Sequence, residues 1–598
     1  MNETIGIIPR AFRRRGVWVA CTLLLRAGLN FLGLAMLLPV LALVLDPGSL
    51  EGGGVLTRAY EGLGFASQRT FALAVCAAVV GVIVLKSLLG LWLARVERNY
   101  IFALYRTLSR RLLVTYHDRG LPFVKASNSA VLARNVNVVC LAFAAGVLKP
   151  AAAIAAEAML LVLLFGALMW YTPLAALLAL AVFLPSIWLY YGLVRNRINR
   201  YGELENKAQR EKARLVAETF RGYADIEINN AFPMMLRQFD RAMDQVIRTR
   251  LREAAIGLLP QTFTEVGLAV GMALLVALSL GDGDGRAQML FGVFAVAALR
   301  LMPSVRNIMT GWTAIKYNRY TIGILRDAAA DCPPAPANPD CRDTPGPRST
   351  PAATVAPGNP GNPGNPAADT ASSPEKLPFR HEIAVRDLRF RFADGGRELF
   401  HGLSLTIRKG ERIGIRGASG AGKTTLFNLL LGLYEPTGGE IAIDGTPLTA
   451  ANRRTWQNRI GYVSQSLFIA DGSFAANVAL GIPAGEVDRE RVMQALRAAQ
   501  LGELVTGLAK GIDTHVGECG CRLSGGQRQR IGIARALYRQ ADVLFFDEAT
   551  SVLDSRTEEE INRSIAGLAA RDAGLTLVVI AHRESSLEYC NRIITIGE

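Results

Sequence analysis

The chain has 598 residues, enough for several domains, and 51% of them are hydrophobic. Its mean hydropathy of +0.24 is high for a soluble protein, and its formal net charge is +15. The basic residues fall in particular segments between apolar runs, a pattern of membrane-protein inner loops rather than of a nucleic-acid partner. Eight cysteines include no C-x-x-C pair, and Cys519-Gly520-Cys521 has the wrong spacing for a zinc knuckle, so reduced thiols are expected.

Residues 1–16 carry Arg10, Arg13, Arg14 and Arg15, and the apolar run behind them, 17–45, is too long for a signal-peptide core. It reads as a first membrane helix with its N-terminus inside, ended by Asp46-Pro47-Gly48. The weakly amphipathic stretch from Val55 to Leu63 fits a short helix on the outer surface or an ordinary exposed loop. A second span is expected over 71–94, followed by a strongly basic stretch from Arg95 to Arg134. Spans three and four, 138–170 and 173–194, are separated by Tyr171-Thr172 and form an outer hairpin. Residues 195–254 mix bases and acids with helical periodicity, as two long helices projecting into the cytoplasm would. Spans five and six follow at 255–280 and 288–313, and the segments 119–123 and 222–228 suit short coupling helices at the inner turns.

Ionisable side chains inside a span are expensive and call for a functional hypothesis. They are mostly cations here: Arg26, Lys86, Lys149, Arg300 and Arg306. Arg300 lies roughly 18 Å into span six, near the midplane, and Arg306 is about 240° further round the helix. Lys86 and Arg26 lie nearer the inner side, where snorkelling and a cavity role are both open. Glu157 is a candidate partner for one of these cations. A cation-lined cavity points to an anionic, amphiphilic substrate bearing phosphate or pyrophosphate.

Residues 329–379 hold Pro333-Pro334 and three Gly-Asn-Pro units and read as a disordered tether. The expected division is therefore 1–328 as a helical membrane domain, 329–379 as linker, and 380–598 as an α/β domain. In the last part, Gly417-Ala418-Ser419-Gly420-Ala421-Gly422-Lys423-Thr424 fits G-x-x-x-x-G-K-[ST] between a strand-like and a helix-like run. Its glycines let backbone N–H groups surround phosphates, Lys423 suits the β- and γ-phosphates of ATP, and Thr424 suits Mg²⁺. The apolar run Val543-Leu544-Phe545-Phe546 ends in Asp547-Glu548, an acid for Mg²⁺ followed by one placed to orient or deprotonate water. Leu523-Ser524-Gly525-Gly526-Gln527 opens another helix and offers a second anion site.

With these motifs in this order the chain resembles the ATP-binding cassette (ABC) family, and the six expected spans resemble a half-size ABC exporter. The resemblance implies a six-helix all-α transmembrane domain followed by a RecA-like α/β ATPase domain. It implies that Ser524, Gly525, Gly526 and Gln527 of one subunit cap ATP held by Gly417, Ser419, Gly420, Gly422, Lys423, Thr424 and Thr425 of another. It further implies Gln465 as a catalytic residue sensing Mg²⁺, Asp554 in the D-loop, His582 as the switch histidine on the γ-phosphate, and Phe392 as the ring stacked on adenine. Members usually continue past the equivalent of Ile596-Gly597-Glu598, a difference expected to cost packing surface and no catalytic residue.

A narrower likeness lies in Leu37-Leu38-Pro39-Val40, Leu45-Asp46-Pro47 and Leu299-Arg300-Leu301-Met302-Pro303-Ser304. These look like bacterial flippases of lipid-linked oligosaccharides. That likeness implies ATP-driven movement of a polyprenyl-pyrophosphate-linked sugar to the outer leaflet, by a homodimer in a bacterial inner membrane. Arg300 is then the best match to a pyrophosphate-binding arginine, with Arg306, Lys86 and Arg26 as looser candidates. An exporter of another amphiphile, such as a lipid A-like lipid, a peptide or a drug, is the alternative.

Overall fold

The structure is a computed structural model that describes residues 8–35, 62, 68–171, 173–279, 286–330, 377–392, 398–548, 556–561, 563, 567, 574–581, 587–588 and 590–597. The chain divides into two compact units, Met1–Pro345 and Gly346–Glu598.

The first unit is built from long helices: Arg10–Ala35, Gln68–Asp118, Lys149–Tyr171, Pro173–Arg221, Phe232–Ser279 and Arg286–Tyr317. Phe12–Gly33, Leu73–Asp118 and Ser129–Trp170 are, among the described residues, long and apolar enough to cross a membrane. Several helices overrun the apolar spans expected from sequence. The second continues through the basic segment to Asp118, and the fourth and fifth run to Arg221 and from Phe232. Hydropathy marks where lipid ends; the hydrogen-bond ladder continues because Arg, Lys, Glu, Ala and Leu are good helix formers. The third span starts earlier than expected, and two π-turns, Asn135–Val139 and Ala144–Leu148, interrupt it. Short helices Gly120–Ala126 and Tyr223–Ile228 occupy the turn after the second long helix and the turn between the fourth and fifth. Residues 36–45 and, apart from Gly62, the Val55–Leu63 segment lie outside the described residues, as does 331–376 within the expected linker.

Polar side chains tie these helices together below the apolar spans. The buried Glu205 carboxylate accepts from Arg250 Nε at 2.7 Å and from the Tyr317 hydroxyl. Buried Arg134 donates to Asn206 Oδ1 at 2.7 Å. Buried charges are tolerated when paired and hydrogen-bonded in this way. One turn before Glu205, Gly202 lets the fourth helix touch the sixth: a Cβ there would lie 1.9 Å from the Tyr317 carbonyl oxygen. Gly202→Ala is therefore expected to cost about 1–3 kcal/mol by overpacking. A thermal midpoint unchanged from wild type would contradict that close approach.

The second unit contains two sheets. Strands β1 (Glu382–Phe390), β2 (Phe400–Arg408), β4 (Gly438–Ile443) and β5 (Thr446–Pro447) pair antiparallel in the order β2-β1-β4-β5. Strands β3 (Arg412–Gly417), β6 (Ile460–Val463), β7 (Val543–Asp547), β8 (Thr576–Ile580) and β9 (Arg592–Ile596) form a parallel sheet in the order β6-β7-β8-β3-β9. β7 and β8 are buried at every position, which explains the apolar runs Val543-Leu544-Phe545-Phe546 and Leu577-Val578-Val579-Ile580 within them. Phe427 meets Phe545 edge-on at 5.2 Å, locking the helix after β3 onto the sheet. This places the C-terminal ends of β3 and β7 side by side across β8, where open parallel sheets bind ligands.

Cys590 lies beside Gly414 of β3, and burial pushes its thiol up to about 11. Cys519 and Cys521 are exposed. At pH 8 only roughly one Cys590 in a thousand is thiolate. Maleimide labelling read by peptide mass spectrometry is expected to modify Cys519 and Cys521 at least about a hundredfold faster than Cys590. Equal rates would contradict the partly buried placement of Cys590.

Candidate functional site

The loop after β3 has the backbone its sequence demands. Gly420 and Gly422 adopt φ of +84° and +92°, a region that L side chains rarely visit. Gly422 forms the N-cap of the helix Lys423–Leu430. A Cβ on Gly417 would sit 2.4 Å from the Ile596 carbonyl oxygen, so the loop can follow β9 closely only with glycine there. Lys423 is 7% exposed, and its ammonium donates to the carbonyl oxygens of Gly417 at 2.8 Å and Ala418 at 3.0 Å. The charge is thus held inside the curl of the loop. Ser419 is exposed on the same loop, and Thr425 is partly buried on the first helical turn.

β7 brings the acids to this loop. The Thr424 hydroxyl donates to Asp547 Oδ1 at 3.3 Å, and Asp547 is 1% exposed. Burial and the neighbouring Asp547 carboxylate both push the Tyr462 phenol well above its usual range. Two hard oxygen donors this close, one of them a buried carboxylate, fit the chemistry of Mg²⁺. Glu548 holds φ of +51°, unusual outside glycine, while its N–H donates to Ile580 O at 3.0 Å. That turn swings its carboxylate to Gln465, whose Nε2 donates to Glu548 Oε2 at 2.8 Å. Gln465, Glu548, Asp547 and Thr424 are therefore assembled from three elements far apart in sequence.

Ser524 caps the helix Gly525–Tyr538 in a capping box: its Oγ accepts from the Gln527 N–H at 3.2 Å, and Gln527 Oε1 accepts from the Ser524 N–H at 2.9 Å. The segment opens a helix as expected from sequence, and its Ser-x-x-Gln spacing is the signature of this capping box. The Ser524 O–H remains able to donate. Gly525 and Gly526 lie in the first turn of the same helix. Phe392 is 43% exposed and stands edge-on to Phe390 at 5.0 Å and to Tyr434 at 6.1 Å. Phe390 and Tyr434 stack at 5.5 Å, so a small aromatic group supports the expected adenine platform. Asp554 and His582 lie outside the described residues; β8 leads towards His582 through buried Ala581.

In the helical unit the expected cations separate. Arg26 Nη1 lies 3.2 Å from Glu97 Oε2, joining the first and second helices, so its charge is balanced within the protein. Glu97 was not weighed as its partner, because it sits in the stretch read as an inner loop. Lys86 packs against Gly33: a Cβ there would lie 2.8 Å from the Lys86 ammonium. Arg300 falls within the helix Arg286–Tyr317, but its side chain lies outside the described residues. Arg306 is partly buried on that helix. Among the described residues Glu157 accepts from neutral donors, Ser304 Oγ at 2.7 Å and Asn307 Nδ2 at 3.0 Å. Ser304 and Asn307, three apart and so neighbours on one helix face, were the available signal.

A phosphate-binding loop beside a buried strand-end acid and an adjacent glutamate defines a P-loop nucleotide-hydrolysing domain, here on a chain with membrane-length apolar helices. The family model described as ABC transporter matches residues 400–551. A Ralstonia nicotianae protein named ATP-dependent lipid A-core flippase is 30% identical over 438 residues, 72% of this chain and 67% of its own length. A Burkholderia pseudomallei protein of the same name is 31% identical over 428 residues, 70% of this chain and 64% of its own. This chain thus spans about two thirds of the length of the relatives it matches. The solved structure of a bacterial Atm1-family ABC exporter with ATP bound superposes with a TM-score of 0.73, covering 98% of this chain and 94% of that one at 22% identity. The chain belongs to the ABC transporter family and has the half-size exporter fold, with apolar helices ahead of an α/β ATPase domain.

Proposed function

We propose that the chain is an ATP-driven flippase for an anionic, amphiphilic lipid, acting as a homodimer in a bacterial inner membrane. The observation that carries the energy-coupling part is the four-residue constellation of Thr424, Asp547, Glu548 and Gln465 on a chain bearing membrane-length helices. Each chain contributes one Gly417–Thr424 loop and one Leu523–Gln527 segment, so two complete sites need two copies.

In this reading Lys423 leaves its two carbonyl partners for the β- and γ-phosphates of ATP, and Phe392 carries the adenine. Thr424 and Asp547 hold Mg²⁺, which when bound neutralises developing phosphate charge. Glu548 orients and deprotonates the attacking water, with Gln465 fixing its carboxylate, and His582 holds the γ-phosphate. Ser524 of a second copy closes the site with its free O–H, and its Asp554 lies at the seam. The short helices Gly120–Ala126 and Tyr223–Ile228 pass closure to a membrane domain assigned to 1–328, while 329–379 acts as tether and 380–598 as motor.

The substrate has two readings within this class. Arg300, Arg306 and Lys86, together with the short motifs around Pro39 and Pro303, support a polyprenyl-pyrophosphate-linked oligosaccharide. The names of the relatives support a lipid A-like lipid. Arg26 adds less to either, since Glu97 answers its charge. Both lipids join phosphate to sugar. Nanodisc ATPase assays with each lipid and with a neutral lipid test the proposal: several-fold stimulation by a phosphorylated glycolipid alone is expected. Stimulation only by peptides or neutral drugs would overturn it.

A further inference from the structure

Glu157 is a carboxylate in the middle of an apolar helix, about 20 Å along the axis from Trp170 at that helix's outer end. An ionised group at such depth does not face lipid; it faces the bundle or a watered cavity. Among the described residues no cation pairs with it. Its two oxygens instead accept one hydrogen bond each, from Ser304 Oγ at 2.7 Å and from Asn307 Nδ2 at 3.0 Å. Ser304 is 1% exposed and locks the carboxylate from the protein side, whereas Asn307 is exposed and Glu157 itself only partly buried. A carboxylate has about four acceptor positions, so among the described residues two are left without a donor. Arg306 stands one position from Asn307 on the same helix.

We infer that Glu157, fixed by Ser304 and Asn307, is an acceptor subsite for saccharide hydroxyl groups of the transported lipid, next to the arginine-bearing stretch that takes its phosphate. The inference rests on the flippase reading above and deepens it, because it applies to any substrate that joins sugar to phosphate. An anionic acceptor beside a phosphate site also repels bare pyrophosphate lipids, so it selects for the glycosylated form.

The test uses the full chain in nanodiscs and two probes: a polyprenyl-pyrophosphate oligosaccharide and the sugar-free polyprenyl pyrophosphate. The readout is the lipid concentration giving half-maximal ATPase stimulation. Glu157→Gln keeps the size and one acceptor but loses the charge. It is expected to raise that concentration about tenfold or more for the sugar-bearing lipid, since a hydrogen bond to a charged group is lost. For the sugar-free lipid it is expected to leave the concentration unchanged or lower. Glu157→Asp retracts the carboxylate and is expected to show the same selective change at smaller size; it gives the answer if Glu157→Gln is not folded. Equal shifts for both lipids, or none for either, in a wild type that both lipids stimulate would overturn the subsite alone. A wild type that neither of these lipids nor a lipid A-like probe stimulates would sink the flippase reading and the subsite with it.

Discussion

Glu548→Gln is expected to reduce ATP turnover by about 10²–10⁴-fold, the usual contribution of a positioned general base. ATP binding should persist, because the substitution leaves Lys423, Thr424 and Asp547 in place. The Glu548 side chain accepts a hydrogen bond from Gln465 at 2.8 Å and is oriented by a backbone turn at φ +51° anchored on Ile580. Glutamine fills the same volume and can keep the Gln465 bond by presenting its carbonyl oxygen. What it lacks is the charge that takes a proton from water. Steady-state phosphate release from the purified chain, alongside binding of a fluorescent ATP analogue, separates the two effects. Retention of more than about a tenth of wild-type turnover would assign the base elsewhere.

Lys423→Ala should fail in the opposite order, losing the nucleotide before the chemistry. The Lys423 ammonium is nearly buried and, among the described residues, donates to two loop carbonyls, at 2.8 and 3.0 Å. Hydrogen bonds of a charged group are each worth about 1.5–3 kcal/mol. Trading two carbonyls for two phosphate oxygens strengthens them further, so removal should weaken ATP binding by about a hundredfold or more. The fold should survive, since the glycine turns and the Phe427–Phe545 contact remain. Near-normal ATP affinity in Lys423→Ala would mean that the ammonium stays on the Gly417 and Ala418 carbonyls when ATP is bound.

The ATPase site was readable in the sequence because its chemistry dictates local residue types. Positive φ at positions 420 and 422 admits glycine, and a fully buried parallel strand reads as an unbroken apolar run that stops where the acid begins. Motif order along the chain points to Thr424, Asp547 and Glu548, and the family resemblance adds Gln465, without any knowledge of contacts. The membrane half yielded less, for physical reasons. Apolar runs locate lipid but not helix ends, so they do not show that Gln68–Asp118 continues through the five arginines from Arg95 to Arg111. The π-turns at Asn135–Val139 and Ala144–Leu148 carry no compositional mark. Pairings such as Arg26 with Glu97 and Glu157 with Ser304 join residues 71 and 147 positions apart, and one sequence does not say which charges meet. Ser524 shows that one motif can carry two signals, a helix cap and an anion contact.

The central claim, that ATP turnover by this chain moves an anionic lipid between leaflets, is tested most directly in proteoliposomes. A fluorescent phosphorylated glycolipid is loaded into the leaflet facing the ATPase domains, and its arrival in the other leaflet is followed by an impermeant quencher. The account predicts ATP-dependent transfer by the wild type and none by Glu548→Gln. Steady ATP hydrolysis by the wild type with an unchanged lipid distribution, for both the polyprenyl-pyrophosphate and the lipid A-like probe, would contradict it.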